Sequence, residues 1–122
     1  MDIFCEIIDG VMPAKTVYED DYVKCIMDID PASPGHVLVI PKTHVTDILE
    51  IDSTTVLKVY EAAKIVIRKM EDSLPNISGV ISTVNYGEPQ VVKHFHMHLI
   101  PTYENKIKPN LSQDEAHALL TK

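Results

Sequence analysis

Residues 94–98 read His94-Phe95-His96-Met97-His98 and continue Leu99-Ile100-Pro101, so three of the chain's six histidines fall at every second position. In a β-strand alternate side chains point to opposite faces. His94, His96 and His98 then share one face, while Phe95, Met97 and Leu99 share the other and pack a core. On a helix the same three histidines would fan over most of the circumference and could not act together. Such a row supports two chemistries. It can ligate zinc, with His-x-His placing two nitrogens and a third histidine completing an open catalytic set. Alternatively, one neutral imidazole attacks a phosphorus atom while its neighbours hold the developing charge. A purely structural row is the third reading, and perturbable imidazoles gathered on one face argue against it. The row alone leaves zinc and phosphorus chemistry open.

The elements that must position this row follow from the apolar patterning. Residues 2–9 form a short apolar turn or helix closed by Gly10 and Pro13. Thr16–Glu19 and Tyr22–Ile29 read as an antiparallel strand pair joined at Asp20-Asp21. Pro31 to Gly35 is a loop, and His36-Val-Leu-Val-Ile40 is a continuous apolar run, predicting a strand buried on both faces. His44–Ile51 reads as a short helix. A long helix starts after Asp52 or Ser53, with Val56, Val59, Tyr60, Ala63, Ile67, Met70 and Leu74 on its apolar face. Val80–Tyr86 is a fourth strand, the histidine segment a fifth, and Ser112 to Glu115 a capping box that opens a C-terminal helix. The expected architecture is α+β, a five-stranded, mostly antiparallel sheet packed by one long helix with short terminal helices.

Bulk properties narrow the function. The 122 residues suit one domain, 1–122, that buries a real core; 45% are apolar and 24% charged, an ordinary globular balance. The net charge of −7 disfavours a nucleic-acid polymer as partner but leaves small phosphates open, since local N–H groups and imidazoles can hold them. No apolar run approaches the ~20 residues of a membrane span. Cys5 and Cys25 have no disulfide-framework or Cys-x-x-Cys spacing, and the N-terminus lacks the basic start of a signal peptide, so a cytoplasmic location is expected.

The context of the histidine row separates the two chemistries. Asn85-Tyr-Gly87-Glu-Pro-Gln90-Val-Val-Lys-His94 leads into it, and Met27-Asp28-Ile29-Asp-Pro31 is followed by Pro34-Gly35-His36-Val-Leu-Val-Ile-Pro41-Lys-Thr-His44. This ensemble, over residues 2–103, resembles the histidine triad (HIT) family, whose fold is the α+β architecture above. The resemblance implies an enzyme, a nucleotidyl hydrolase or transferase that cleaves a nucleoside monophosphate, usually AMP, from phosphoramidates, dinucleoside polyphosphates or similar substrates. It implies His96 as the nucleophile and His98 as hydrogen-bond donor to the α-phosphate. His94 and His36 form the relay, Asp28 holds the ribose, Ile26 and Ile29 line the base pocket, and Asn85 and Gln90 face the phosphate or leaving group. It further implies a homodimer with a joined sheet, for which Ala62 and Ile65 offer spare apolar surface, and no cofactor for catalysis.

The chain departs from the family pattern in places. Pro89 stands where many relatives have glycine, in a shortened loop, and removes an N–H; Val91 stands where one branch has a serine that helps protonate the leaving group. Some relatives bind structural zinc through an N-terminal Cys-x-x-Cys and two histidines. Here Asp2 replaces the first cysteine, leaving Cys5, His44 and His94, a donor set that zinc accepts; Cys5 as a buried apolar residue is the other reading. His117 falls outside every motif and reads as a surface residue. Two rival functions stay open: a metal-dependent hydrolase that uses the histidines as ligands, and a nucleotide-binding scaffold without turnover.

Overall fold

A computed structural model describes residues 2–122. The elements in chain order are α1 (Ile3–Ile8), β1 (Thr16–Glu19), β2 (Val23–Met27), β3 (Val37–Pro41), α2 (Ser53–Ser73), β4 (Ile77–Thr83), β5 (Met97–Tyr103), a 3₁₀ turn (Glu104–Lys106) and α3 (Gln113–Leu120). The strands form one antiparallel sheet in the order β1-β2-β3-β5-β4. No helix among the described residues is long and apolar enough to cross a membrane.

The sheet is covered on both faces. On one, Val23, Cys25, Val37, Val39, Met97 and Leu99 pack against Val59, Ala63, Val66 and Met70 of α2. On the other, Ile26, Leu38 and Ile40 meet Phe4 and Ile7 of α1. Every residue of β3 is therefore buried, as its unbroken apolar run predicts. The long helix begins where expected, with the Asp52 carboxylate accepting from the Thr55 N–H. Its buried face is shifted from the expected one. Tyr60 is exposed, and Ala62, read from the sequence as spare surface, is sealed inside at 1% exposure.

Several element boundaries differ from expectation, each for a local reason. His44–Ile51 is not a helix. The Asp47 carboxylate accepts from the Leu49 and Glu50 N–H groups, and Glu50 Oε1 accepts from the Thr46 N–H, so side chains satisfy donors that a helix would have used. β2 stops at Met27 because Asp28 Oδ1 turns back to the Asp30 N–H. β4 starts at Ile77, earlier than expected, and ends at Thr83, whose partner His98 is its last pairing. β5 begins only at Met97, so His94 and His96 precede the ladder. At His94 the ring takes over the pairing, Nε2–H donating to the Pro41 carbonyl at 2.8 Å. The alternation survives: Phe95, Met97 and Leu99 enter the α2-side core while the three rings lie on the α1 side.

Candidate functional site

On the α1 side of the sheet lies a cleft of about 850 Å³. Its floor is Ile26, Met27 and Leu38 from β2 and β3; one wall is Ile3, Phe4 and Ile7 of α1; Asn85, Pro89, Val91 and Val92 form the loop wall; His96 and His98 stand at the back. Of the residues singled out from the sequence, the structure brings His96, His98, Asp28, Ile29, Ile26 and Asn85 to this cleft. Ile29 is 87% exposed at its rim rather than in the core.

The hydrogen bonds assign the protons. His96 Nδ1 lies 2.8 Å from the His94 carbonyl, which can only accept, so Nδ1 carries the hydrogen and Nε2 is a bare lone pair. The Phe4 ring packs T-shaped against His96 at 5.0 Å between centroids, the two planes 74° apart. His36 Nδ1 accepts from the Ala32 N–H at 3.0 Å, so its hydrogen sits on Nε2, which donates to His98 Nδ1, also at 3.0 Å. His98 then carries its hydrogen on Nε2, a buried atom with no protein partner. The cleft thus pairs a bare nitrogen with an unspent donor.

Burial pushes all three rings, His36, His96 and His98, below the ordinary histidine value, against the His94 carbonyl at His96 and Asp28 at His36, which pull upward; at His98 its histidine neighbours add to the downward push. His36 is therefore neutral, and its 3.4 Å approach to Asp28 Oδ2 is a polar contact rather than an ion pair. Asp28, His36 and His98 also present donors close enough for a metal. In this tautomer His36 Nε2 carries a hydrogen directed at His98 Nδ1 and offers no free lone pair.

Gln90 is placed differently from expectation. It is 3% exposed, does not line the cleft, and its Nε2 donates to the carbonyls of Thr46 and Val92. It staples the loop instead of facing phosphate. Lys93 does the same from the other side, its Nζ donating to the Gly87 and Gln90 carbonyls. His117 is half-buried rather than at the surface, bonding the Thr16 carbonyl at 2.8 Å. Sequence reasoning also missed Phe4, Lys15 and Gln113 as cleft residues. Phe4 was within reach, since it lies on the apolar helix that the sequence places at the N-terminus; Lys15 and Gln113 carry no local signal.

His94 is fully buried and faces a second cluster. Its Nδ1 lies 3.5 Å from Cys5 Sγ and 3.3 Å from Asp2 Oδ1; His44 Nδ1 lies 3.4 Å from the same sulfur and 3.0 Å from Asp2 Oδ2. The four ligand atoms sit within 4.8 Å of one another. Because His94 Nε2–H is committed to the Pro41 carbonyl, Nδ1 is the nitrogen left to ligate, the usual outer-shell arrangement of a metal-bound histidine. These residues fit zinc, with one carboxylate oxygen among softer donors. Asp2 is also the N-cap of α1, its Oδ1 accepting from the Cys5 N–H at 2.8 Å. The Cys5 thiol, raised by burial and by the Asp2 carboxylate, would lose its proton on binding metal.

Comparison with known proteins agrees with the geometry. The HIT domain family matches residues 9–105. The Bacillus subtilis protein named "Protein hit" is 40% identical over 103 residues, covering 83% of this chain and 70% of that one. The adenylylsulfatase HINT3 of Arabidopsis thaliana is 35% identical over 104 residues, 84% of this chain and 52% of that protein. The crystal structure of a zinc-bound histidine triad family protein from Mycobacterium smegmatis superposes with a TM-score of 0.89 at 31% identity, covering 98% of this chain and 89% of that one. A sheet carrying three histidines beside a cleft defines the class, and the chain belongs to the histidine triad family.

Proposed function

We propose that the protein is a nucleotidyl hydrolase or transferase that releases a nucleoside monophosphate, AMP foremost, through a covalent nucleotidyl-His96. The observation that carries this is the bare His96 Nε2 beside the unspent His98 Nε2–H in one cleft.

In the first step His96 Nε2 attacks the α-phosphorus. A P–N bond forms, the bond from phosphorus to the leaving group breaks, and its electron pair departs with that group. Positive charge then spreads over the ring, and the Nδ1–H bond to the His94 carbonyl becomes charge-assisted. His98 Nε2–H holds a phosphoryl oxygen. In the second step water attacks phosphorus, the P–N pair returns to Nε2, the water proton goes to solvent, and the monophosphate leaves. Asp28 takes the ribose, Ile26 and Ile29 the base, and Asn85 the leaving-group side.

We further propose structural zinc at Asp2, Cys5, His44 and His94, supplying a cross-link and no chemistry at phosphorus. The homodimer and the cytoplasmic setting belong to the same reading. β4 has a hydrogen-bonded neighbour on one side only, which supports a joined sheet, and sedimentation at twice 13.7 kDa checks it.

The test is AMP release from adenosine 5′-phosphosulfate and a diadenosine polyphosphate with EDTA present, for wild type and His96→Asn, with circular dichroism on the same samples. EDTA-resistant turnover that disappears in the variant is expected. Activity lost to EDTA in a protein that stays folded would overturn it in favour of a metal-dependent hydrolase.

A further inference from the structure

The rim of the cleft beside Asp28 is closed by a residue beyond the span that matches the family, which ends at residue 105. Gln113 is the first residue of α3, and three restraints hold it. The reciprocal Ser112–Glu115 capping box fixes the start of the helix. Lys15 Nζ pairs with Asp114 Oδ1 at 2.5 Å, tying that start to the segment before β1. Gln113 Nε2 itself donates to the backbone carbonyl of Asp28 at 2.5 Å.

The last bond orients the amide. With nitrogen turned to the Asp28 backbone, Oε1 is left as an acceptor on a side chain that lines the cleft. The Asp28 carboxylate belongs to the same residue that the amide grips, and it too can only accept when ionised. Two acceptors, one from the end of β2 and one from the start of α3, therefore line the same cleft on residues that are bonded to each other. Two neighbouring O–H donors are what they complement, and a ribose presents that pair as its 2′- and 3′-hydroxyls.

We propose that Gln113 is a specificity-determining residue that, with Asp28, reads the vicinal diol of the sugar and so separates ribonucleotides from deoxyribonucleotides. This rests on the reading that a nucleoside monophosphate occupies the cleft. A site built to bond a hydroxyl rejects the analogue lacking it, because its own polar group is left unpaired.

Calorimetric titration of the full chain with AMP, 2′-deoxy-AMP and 3′-deoxy-AMP tests it, using wild type, Gln113→Met and Gln113→Glu. Wild type should bind AMP about tenfold more tightly than at least one deoxy form. Gln113→Met keeps the length and removes the amide; its AMP affinity should fall until the ratio to one deoxy form is near one, with affinity for that form almost unmoved, while any discrimination that Asp28 makes at the other hydroxyl persists. Gln113→Glu keeps an acceptor and should retain discrimination at lower overall affinity. Equal weakening of AMP and both deoxy forms in Gln113→Met would reveal a merely structural role and overturn the proposal, as would a wild type that does not discriminate. Absence of AMP binding by wild type would instead remove the nucleotide reading itself, and this proposal with it.

Discussion

His98 Nε2–H is a buried donor held in reserve by a chain that starts at a backbone amide: Ala32 N–H to His36, His36 to His98. The chain works only while the rings are neutral, and burial keeps His36 and His98 below the ordinary value of 6.5. The unfolded chain has no such restraint, so it takes up more protons as pH drops below about 6.5. The stability these rings confer is whole above that pH and drains away as pH falls toward their folded values. Thermal melts should show a flat Tm above about pH 7 and a fall below 6.5; a Tm that climbs on acidification contradicts this. The leaving group has a residue-scale consequence too. Pro89 and Val91 line the loop wall and neither can give a proton. Sulfate or polyphosphate leaves as a stable anion, whereas a basic amine must be protonated, a service worth about 10²-fold or more. Turnover of adenosine 5′-phosphosulfate should exceed that of an alkylamine phosphoramidate by about 10²-fold, and equal kcat values would show that a proton donor exists after all.

At the scale of elements, the loop from Pro31 to His36 sets the relay. Gly35 has a φ of +86°, and a Cβ there would lie 2.8 Å from Leu74 Cδ1 at the end of α2. Tyr103 of β5 donates to the Pro34 carbonyl at 2.6 Å, pinning the same loop. Gly35→Ala should therefore cost about 2 kcal/mol, from left-handed strain plus crowding, read as a lower Tm, and should lower kcat by displacing His36. An unchanged Tm would mean that the loop yields freely. The same elements show what patterning can and cannot reveal. Period-two alternation placed His94, His96 and His98 on one face and Phe95, Met97 and Leu99 on the other, because that depends only on extended backbone. It missed that the ladder starts at Met97, since a side-chain bond from His94 to Pro41 replaces pairing there. The Asp47 and Glu50 carboxylates that dissolve the expected helix, and the amide of Gln90 that turns inward to Thr46, depend on contacts distant in space or on local competition. Hydrophobic spacing does not encode them. Gln113 reaches Asp28 across 85 positions, which no local motif can signal.

Across the whole molecule, the nucleophile and the second cluster are two sides of one residue. The His94 carbonyl orients His96, and the His94 ring faces Asp2, Cys5 and His44. A cation there would join the N-cap of α1 to the segment after β3 and to the entry of β5, three parts of the chain otherwise linked by packing and a few hydrogen bonds. Its benefit to stability follows from mass action, since a site assembled only in the folded state stabilises that state in proportion to its occupancy. With one carboxylate in place of a thiolate, the donor set is harder but still four-coordinate. Elemental analysis of the purified chain should find about one zinc per chain, and stripping it should lower Tm by several degrees, restored by adding zinc back. Cys5→Ser and His44→Ala should each reduce the zinc content and make Tm insensitive to chelator. A wild-type Tm that chelation leaves untouched, with no zinc found, would return Cys5 to the role of a half-buried thiol packed beneath His94.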